Sequence, residues 1–435
     1  MQGVRRSSVG LVLVLVAVSA CNMHGSFGGS PASDRDGEAS RTQPYEPDGA
    51  SDTPAADCEV DEDKELLIID RAVLQSAYAR NDASDGALSF RAVMEALAGS
   101  PEDAYAMTTA WLGSWATIRA VGAEGASVTP RPAVNPRLLE PWAEVARNAR
   151  APMASAPFRL IAVVNRLDLR EDPLGCSGSS GELRLVYTAV DPRTRSALPM
   201  TIIVELPLPS TRTARGWASA WHALGRQPLD SAFAAELSGL VGEVMVEESV
   251  RGARIRTNEA AFDDVWEMRE FSLSNAKAPR TLEPNLLEST PRDELDRSVE
   301  LRTWLVENSL SLEQGSVPML PPSMQAGAAT LSSSTFRWGT GVPIREEARR
   351  AFSEATCTGC HGGERGTDAL RFQHLAPWDA PGAYYGSEGS ASTRVSTYLR
   401  DPSGRDDELG RRAKDMASLL CATACTSSQG GTYRP

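Results

Sequence analysis

The stretch Cys357-Thr358-Gly359-Cys360-His361 most strongly limits the fold and chemistry of this 435-residue sequence. The spacing C-x-x-C-H is typical of a site where two thiols attach a c-type haem and the histidine binds its iron. Just before it, residues 344–355 place Ala348, Ala351 and Phe352 at helical spacing. A helix that leads directly into this motif predicts a small all-α C-terminal domain over residues 342–435.

Other chemistries use the same pair of cysteines. A C-x-x-C pair also forms redox-active disulfides, and cysteines combine with histidines in zinc sites. Cys357, Cys360, His361 and His374 could supply four zinc ligands, but adjacent Cys360 and His361 suit a tetrahedral site poorly. We therefore favour covalent haem, attached through both cysteines and ligated by His361.

A second axial ligand is needed if such a haem is to carry out simple electron transfer. His374 lies thirteen residues after His361, within reach of a loop that folds over the haem. Met416 and an open coordination site are the alternatives. His222 follows Trp221 in a predicted helix, where a core or capping role is the ordinary expectation.

A secretory leader is predicted at the start of the chain. Arg5 and Arg6 precede an apolar run over residues 9–20 that is too short to span a membrane comfortably. The run ends in Val18-Ser19-Ala20-Cys21, which resembles a bacterial lipobox and implies cleavage before Cys21 and its lipidation. An ordinary secretory signal is the alternative. Residues 1–20 are thus predicted to be a lipoprotein signal peptide, and residues 21–60 a disordered tether.

Export would place the protein in the cell envelope, lipid-anchored at the outer membrane or the periplasmic face. An oxidising compartment predicts that the six cysteines after Cys21 are all used. If the C-x-x-C pair holds haem, four cysteines remain, and they can pair in three ways. We expect Cys421 to pair with Cys425, and Cys58 with Cys176.

Residues 61–310 mix strand and helix patterns. Residues 158–169, 182–190 and 198–206 are apolar and β-branched, as is typical of buried strands, and helical spacing occurs before and after them. This mixture predicts an α+β domain with a mainly antiparallel sheet flanked by helices. Residues 311–341 are rich in Pro, Gly and Ser, which predicts a linker to the C-terminal domain.

Charged residues occupy alternate positions in several predicted strands, which places them on one face of each strand. Neighbouring strands would then form a ladder of opposite charges. The ladder could be a structural salt-bridge surface, a groove for an anionic or sugar-like ligand, or a docking surface for the C-terminal domain. Its predicted members are Arg166, Asp168, Arg170, Glu182, Arg184, Arg256, Glu267 and Arg269.

Two resemblances extend these expectations. The helix and motif at Cys357 resemble class I cytochrome c over about twenty residues, which implies a cytochrome c-like C-terminal domain. Most of residues 64–420 resembles a family of uncharacterised lipoproteins from myxobacteria and related bacteria. The shared stretches include Asn165-Arg166-Leu167-Asp168-Leu169-Arg170 and Trp266-Glu267-Met268-Arg269-Glu270-Phe271. The family resemblance implies an architecture but no activity.

We therefore expect a membrane-anchored lipoprotein whose monohaem domain transfers electrons to a redox partner protein or senses redox state. The alternative is a non-enzymatic surface protein for binding or assembly, with a Cys357–Cys360 disulfide and no haem. We predict no catalytic residues, because the sequence has no H-E-x-x-H, Walker, dinucleotide-binding or G-x-S-x-G motif. The formal charge of −13 argues against a nucleic-acid partner.

Overall fold

The computed structural model describes residues 58–83, 86–149, 151–274, 279–314, 316–331, 336–339, 344–364, 373–377, 393–401 and 407–421. The predicted signal peptide, the lipidation site Cys21, all but the end of the predicted tether, and Cys425 lie outside these ranges. Within them, no helix combines the length and the apolar character needed to cross a membrane.

The described chain is built around one antiparallel sheet. Its strands, and those of three small ladders, are β1 Leu67–Ile68, β2 Ala120–Val121, β3 Ala126–Ser127, β4 Phe158–Arg166, β5 Glu182–Val190, β6 Ala197–Pro207, β7 Arg254–Glu259, β8 Trp266–Leu273, β9 Leu282–Asn285, β10 Leu287–Pro291, β11 Gln325–Ala326, β12 Ala329–Leu331, β13 Leu375–Pro377 and β14 Thr393–Val395. Among the described residues, eight strands form the main sheet in the order β1-β4-β5-β6-β7-β8-β12, with β9 also paired to β8.

The central strands β4 to β7 are buried on both faces, which their runs of apolar and β-branched residues allow. Every strand pair of the main sheet is antiparallel. Arg184 pairs with Glu205, and Glu205 pairs with Arg254 on the next strand. Residues paired in this way project from the same face, so the two faces of the sheet differ in composition.

The helices of residues 90–114 pack against one face of the sheet, which we call the apolar face. The helices of the described chain are α1 Arg71–Leu74, α2 Phe90–Ala98, α3 Pro101–Ser114, α4 Glu140–Ala146, α5 Ala214–Gly225, α6 Ser231–Val244, α7 Glu247–Arg251, α8 Val299–Glu307, α9 Ser309–Glu313, α10 Glu346–Ala355, α11 Cys357–His361 and α12 Glu408–Cys421. Phe90 of α2 packs edge-on against Tyr187 of β5, and Trp111 of α3 packs against Phe271 of β8. These buried aromatic contacts belong to the main hydrophobic core.

The C-terminal residues cover the opposite face, which we call the cavity face. β13 contacts β4 and β6, and the hydroxyl of Thr393 in β14 donates a hydrogen bond to the carbonyl of Ile161. Arg170, just after β4, donates to Asp415 of α12 (2.9 Å). The structure confirms an α+β fold with a large antiparallel sheet flanked by helices. It does not confirm a separate all-α C-terminal domain, because the described C-terminal residues include the β13–β14 ladder and pack on the main sheet.

Two predictions, one for the linker and one for the C-terminal residues, are wrong. Residues 311–341, predicted to be a linker, contribute β12 to the edge of the main sheet and β11 to a ladder with β10. Trp338 from the same stretch is buried and packs against Phe352 of α10. Residues 342–435 are predicted to be all-α, but β13 and β14 form a two-stranded ladder there. Both segments are shaped by distant partners, which outweigh weak local preferences.

Cys58 forms a disulfide with Cys421, the last residue of α12. The expected pairs, Cys58 with Cys176 and Cys421 with Cys425, are therefore wrong. Because α12 packs against the helical turn Glu62–Leu66, it brings together two cysteines that are 363 positions apart. Cys176 is also disulfide-bonded, whereas neither cysteine of the C-x-x-C-H motif is in a disulfide.

Candidate functional site

A cavity of about 110 Å³ lies between the cavity face of the sheet and the C-terminal residues. Val164, Val186 and Ile203 contribute apolar walls from the sheet, and Leu399 and Leu409 contribute them from the C-terminal side. That volume is below the roughly 300–1,000 Å³ typical of small-molecule sites, so a ligand of haem size would need the walls to move apart. The charged and metal-ligating residues that line it are Arg166, Arg184, Glu205, Arg256, Cys360, His361, His374 and Arg412.

The C-x-x-C-H motif forms the short helix α11, directly after α10. The hydroxyl of Thr356 caps this turn by accepting a backbone N–H from within it. The indole N–H of Trp338 donates to the hydroxyls of Thr356 and Thr358, at 2.9 Å each. The amide of Cys357 donates to Thr290 (2.8 Å). The motif is therefore fixed in position from both sides, which a site for covalent attachment requires.

His361 and His374 lie beside each other at the cavity, with ring centroids 4.6 Å apart. The His361 ring stacks on Trp266 of β8 at 4.9 Å, and the Trp266 indole donates to Asn258 of β7. The His374 ring packs against Tyr398 at 4.9 Å. The sheet thus positions one imidazole and the C-terminal residues position the other. His361 is only 5% exposed, so water has little access to it.

His374 is oriented by hydrogen bonds at both ring nitrogens. Its Nδ1 lies 3.0 Å from the hydroxyl of Ser396, and its Nε2 lies 3.5 Å from the thiol of Cys360. A hydrogen bond at one ring nitrogen, such as that between Nδ1 and Ser396, commonly fixes the orientation of a histidine that binds a metal through the other nitrogen. The Cys360 thiol lines the cavity, whereas Cys357 packs next to it in an apolar cluster with Trp266.

Four guanidinium groups face the cavity, and we call them the arginine cluster. Arg184 of β5 and Arg256 of β7 both contact Glu205 of β6, at 3.1 and 3.2 Å, because the register places these strands side by side. Arg166, at the end of β4, pairs with Asp168 (2.9 Å). The cluster consists of Arg166, Arg184, Arg256 and Arg412.

Buried carboxylates hold the arginine cluster in place. Burial acts to raise the pKa of Asp168, but the Arg166 guanidinium outweighs it and holds that pKa well below its usual range. For Glu205, burial prevails over Arg184 and Arg256, and its pKa is raised. The carboxylates in contact with the cluster are Asp168, Glu182, Glu205, Glu270 and Glu408.

The structure divides the predicted ladder of charges among three places. Glu267 and Arg269 lie on the apolar face, because they alternate along β8 with Met268, which lines the cavity. Grouping these two residues with the others is therefore wrong. Arg170 instead holds α12 in place through Asp415. The members that lie at the cavity face are Arg166, Asp168, Glu182, Arg184 and Arg256.

A second buried ion cluster, missed in the sequence, lies on the apolar face. Arg131 is 1% exposed and contacts Glu259 and Glu267, at 3.1 and 3.4 Å. Arg269 lies over the ring of Trp115, 5.4 Å from its centroid. Burial raises the pKa of Glu259 to about 7, although Arg131 opposes that rise. No local pattern marks Arg131, since its partners are distant in the chain.

Met416 and His222 lie away from the cavity. Met416 belongs to the main core, where its sulfur is 3.7 Å from the amide nitrogen of Asn165, and it is not among the described residues that line the cavity. His222 pairs with Glu65 (3.0 Å) in the interior. Arg412 is a cavity residue that sequence reasoning missed. Its spacing of four from Glu408 on a predicted helix is the signal that could have found it.

The groups at this cavity fit a c-type haem. Cys360, the two imidazoles and the apolar walls are at the cavity, and Cys357 packs beside it; these are the groups that such a cofactor uses. His361 and His374 are in contact, so their rings would have to separate to hold an iron between them. Within the described ranges, no group of three or more His, Cys, Asp or Glu is arranged to hold a metal ion.

Comparison with known proteins adds no family assignment. A scan against protein-family models, a search of the curated proteins and a search of the solved structures each found no match. The functional interpretation therefore rests on the residues of this chain.

Proposed function

We propose that this protein is an exported, lipid-anchored carrier of one c-type haem, which transfers electrons or senses redox state at the cell envelope. The observation that carries the proposal is the meeting of Cys360, His361 and His374 at one cavity. Cys357 and Cys360 would hold the haem through thioether bonds. His361 would be the proximal ligand and His374 the second axial ligand.

The C-terminal residues would serve as the cytochrome c-like part of the molecule. α10 leads into the C-x-x-C-H turn, as in the class I cytochrome c motif that the sequence resembles. When bound, the haem would supply a one-electron redox centre. The chain itself would orient the two imidazoles through Trp266 and Ser396, and its apolar walls would exclude water.

The proposed location follows from the leader sequence. Lipidation of Cys21 would anchor the protein at the outer membrane or the periplasmic face, where a redox partner protein could reach it. The Cys58–Cys421 disulfide supports an oxidising compartment.

Covalent haem is the first expectation to test. The full chain would be exported from a host with cytochrome c maturation machinery, then examined by haem stain after denaturing electrophoresis and by pyridine haemochrome spectrum. We expect covalent haem in the wild type and its loss in Cys357→Ser/Cys360→Ser. Thr358→Ser is the matched control, because it keeps the hydroxyl that Trp338 contacts.

The second axial ligand is tested in the same preparation. We expect His374→Ala to keep covalent haem but to change a low-spin spectrum to a high-spin one. Met416→Leu, a conservative change in the core, should leave the spectrum unchanged. If the spectrum survives in His374→Ala and changes in Met416→Leu, the ligand assignment is wrong.

A second candidate function is a non-enzymatic binding or assembly protein. The apolar walls and the arginine cluster favour it, because together they suit an anionic, partly apolar ligand without attached haem. The wild type would then carry no covalent haem, and Cys357 and Cys360 would resist alkylation until they are reduced. That result would favour this function over the haem proposal.

A further inference from the structure

We propose that the arginine cluster binds the two propionate carboxylates of the haem, so that the main sheet supplies one side of the haem site. This inference rests on the proposed function and deepens it. Arg166, Arg184 and Arg256 come from β4, β5 and β7, and Arg412 comes from α12. They lie far in sequence from the C-x-x-C-H motif, yet they line the same cavity as Cys360 and the two histidines.

The arginines face the cavity, while most of their carboxylate partners lie behind them. Among the described lining residues, Glu205 is the one acidic side chain. Arg166 donates two N–H groups to Asp168, and Arg412 donates its Nε to Glu408. A guanidinium has five N–H donors in a fixed plane, more than these bonds use. Carboxylates behind the cluster therefore orient it for a ligand in front.

One pair of arginines lies close together at the cavity. Arg166 and Arg412 both contact Asp168, at 2.9 and 3.9 Å, and Arg412 also donates to Glu408. Burial and the nearby charge of Arg166 lower the pKa of Arg412. A ligand carboxylate in the cavity would accept charge-assisted hydrogen bonds from the further N–H groups of these two guanidinium groups.

The other pair of arginines already binds one carboxylate between them, as it would bind a second carboxylate of the ligand. Arg184 and Arg256 converge on Glu205 from two strands. Burial raises the pKa of Glu205, so protonation of this side chain would free the pair for an ionised ligand. Two arginine pairs beside apolar walls suit an apolar molecule with two carboxylates, such as haem. A fatty acid has one carboxylate and would satisfy only one pair.

The test uses non-covalent binding, so that it does not depend on haem attachment. The full chain with Cys357→Ser/Cys360→Ser would be titrated with haemin and with haemin dimethyl ester, followed by quenching of tryptophan fluorescence. We expect haemin to bind at least about ten-fold more tightly than the ester, because the ester cannot form ionic hydrogen bonds with arginine.

A paired substitution then tests the arginines. Arg184→Gln with Glu182→Gln removes one cluster member together with a carboxylate partner. This variant should bind haemin about ten-fold more weakly, with no change in its affinity for the ester. Arg193→Gln with Glu144→Gln removes an exposed ion pair elsewhere and should change neither affinity. If the first variant does not fold, the comparison of haemin with its ester in the cysteine variant still decides.

Equal affinities for haemin and its ester, or no saturable haemin binding, would overturn this inference even if the wild type stains for covalent haem. If the cysteine variant prefers haemin but the wild type never acquires covalent haem, the proposed covalent attachment is wrong, whereas the carboxylate site of the arginine cluster is supported.

Discussion

Glu259 shows how single buried residues make this protein sensitive to pH. Its side chain is 1% exposed, contacts Arg131 and accepts the backbone amides of Ala261 and Phe262. Its pKa is raised by burial to about 7, from an ordinary value of 4.5. Between these two values the unfolded chain ionises while the folded chain keeps the proton. Glu259 therefore contributes stability at low pH that is lost as the pH rises to about 7.

Glu259→Gln should remove this dependence, since glutamine resembles the protonated form. Between pH 5 and pH 8, the free energy of unfolding of the variant relative to wild type should rise by about 2–3 kcal/mol. Urea unfolding at both pH values measures the change. Glu283→Gln, at an exposed position, should show no such rise. A constant difference for Glu259→Gln would mean that Glu259 is already ionised at pH 5.

Individual site residues differ in how far the sequence could predict them. Cys357, Cys360 and His361 form a contiguous motif whose spacing predicts its chemistry, and Cys360 and His361 line one cavity with His374. Ser396 could not be predicted, because its contact with His374 depends on the β13–β14 ladder. The arginine cluster depends on which strands pair and in what register, and the spacing of residues in the sequence does not show this.

Secondary-structure elements were predictable where local composition and tertiary environment agree. The strand predicted at residues 182–190 is β5 as observed, since its apolar residues are buried by neighbours on both sides. β12 and β14 are three-residue strands, too short to leave a periodic signal. They form because β8 and β13 offer free edges, which only the assembled fold provides.

α12 is attached to the body through the Cys58–Cys421 disulfide and the Arg170–Asp415 pair. Cys58→Ser with Cys421→Ser should lower the free energy of unfolding by about 2–5 kcal/mol, because the unfolded chain regains the freedom of a very long loop. Urea unfolding of the oxidised protein measures the loss. Arg193→Gln, which removes only an exposed ion-pair partner, should change stability little. An unchanged midpoint in the cysteine variant would show that packing alone holds α12.

The molecule as a whole folds around the sheet, with the C-terminal residues as its second layer. A fragment of residues 61–310, the predicted α+β domain, would lose that layer and also β12. Val164, Val186 and Ile203 would then face water, and the edge of β8 would be unpaired. We expect this fragment to bind a hydrophobic dye such as ANS and to self-associate, unlike the full chain.

Dye fluorescence and sedimentation of the fragment and the full chain would measure this difference. A monomeric fragment that binds no dye would show that residues 61–310 are an independent domain and that the C-terminal residues only rest on it. The sequence suggested such independence because residues 311–341 have the composition of a linker, whereas their role in the sheet depends on contacts with β8 and β10.

The Cys58–Cys421 disulfide also determines how a mechanical load would enter the protein. A pull on the chain before Cys58 would otherwise act first on the helical turn Glu62–Leu66 and then on β1, a two-residue strand at the edge of the sheet. The covalent bond divides that pull between β1 and α12, which lie at opposite ends of the described chain. An anchored protein of this design would resist drag from its surroundings without opening the cavity that α12 helps to close.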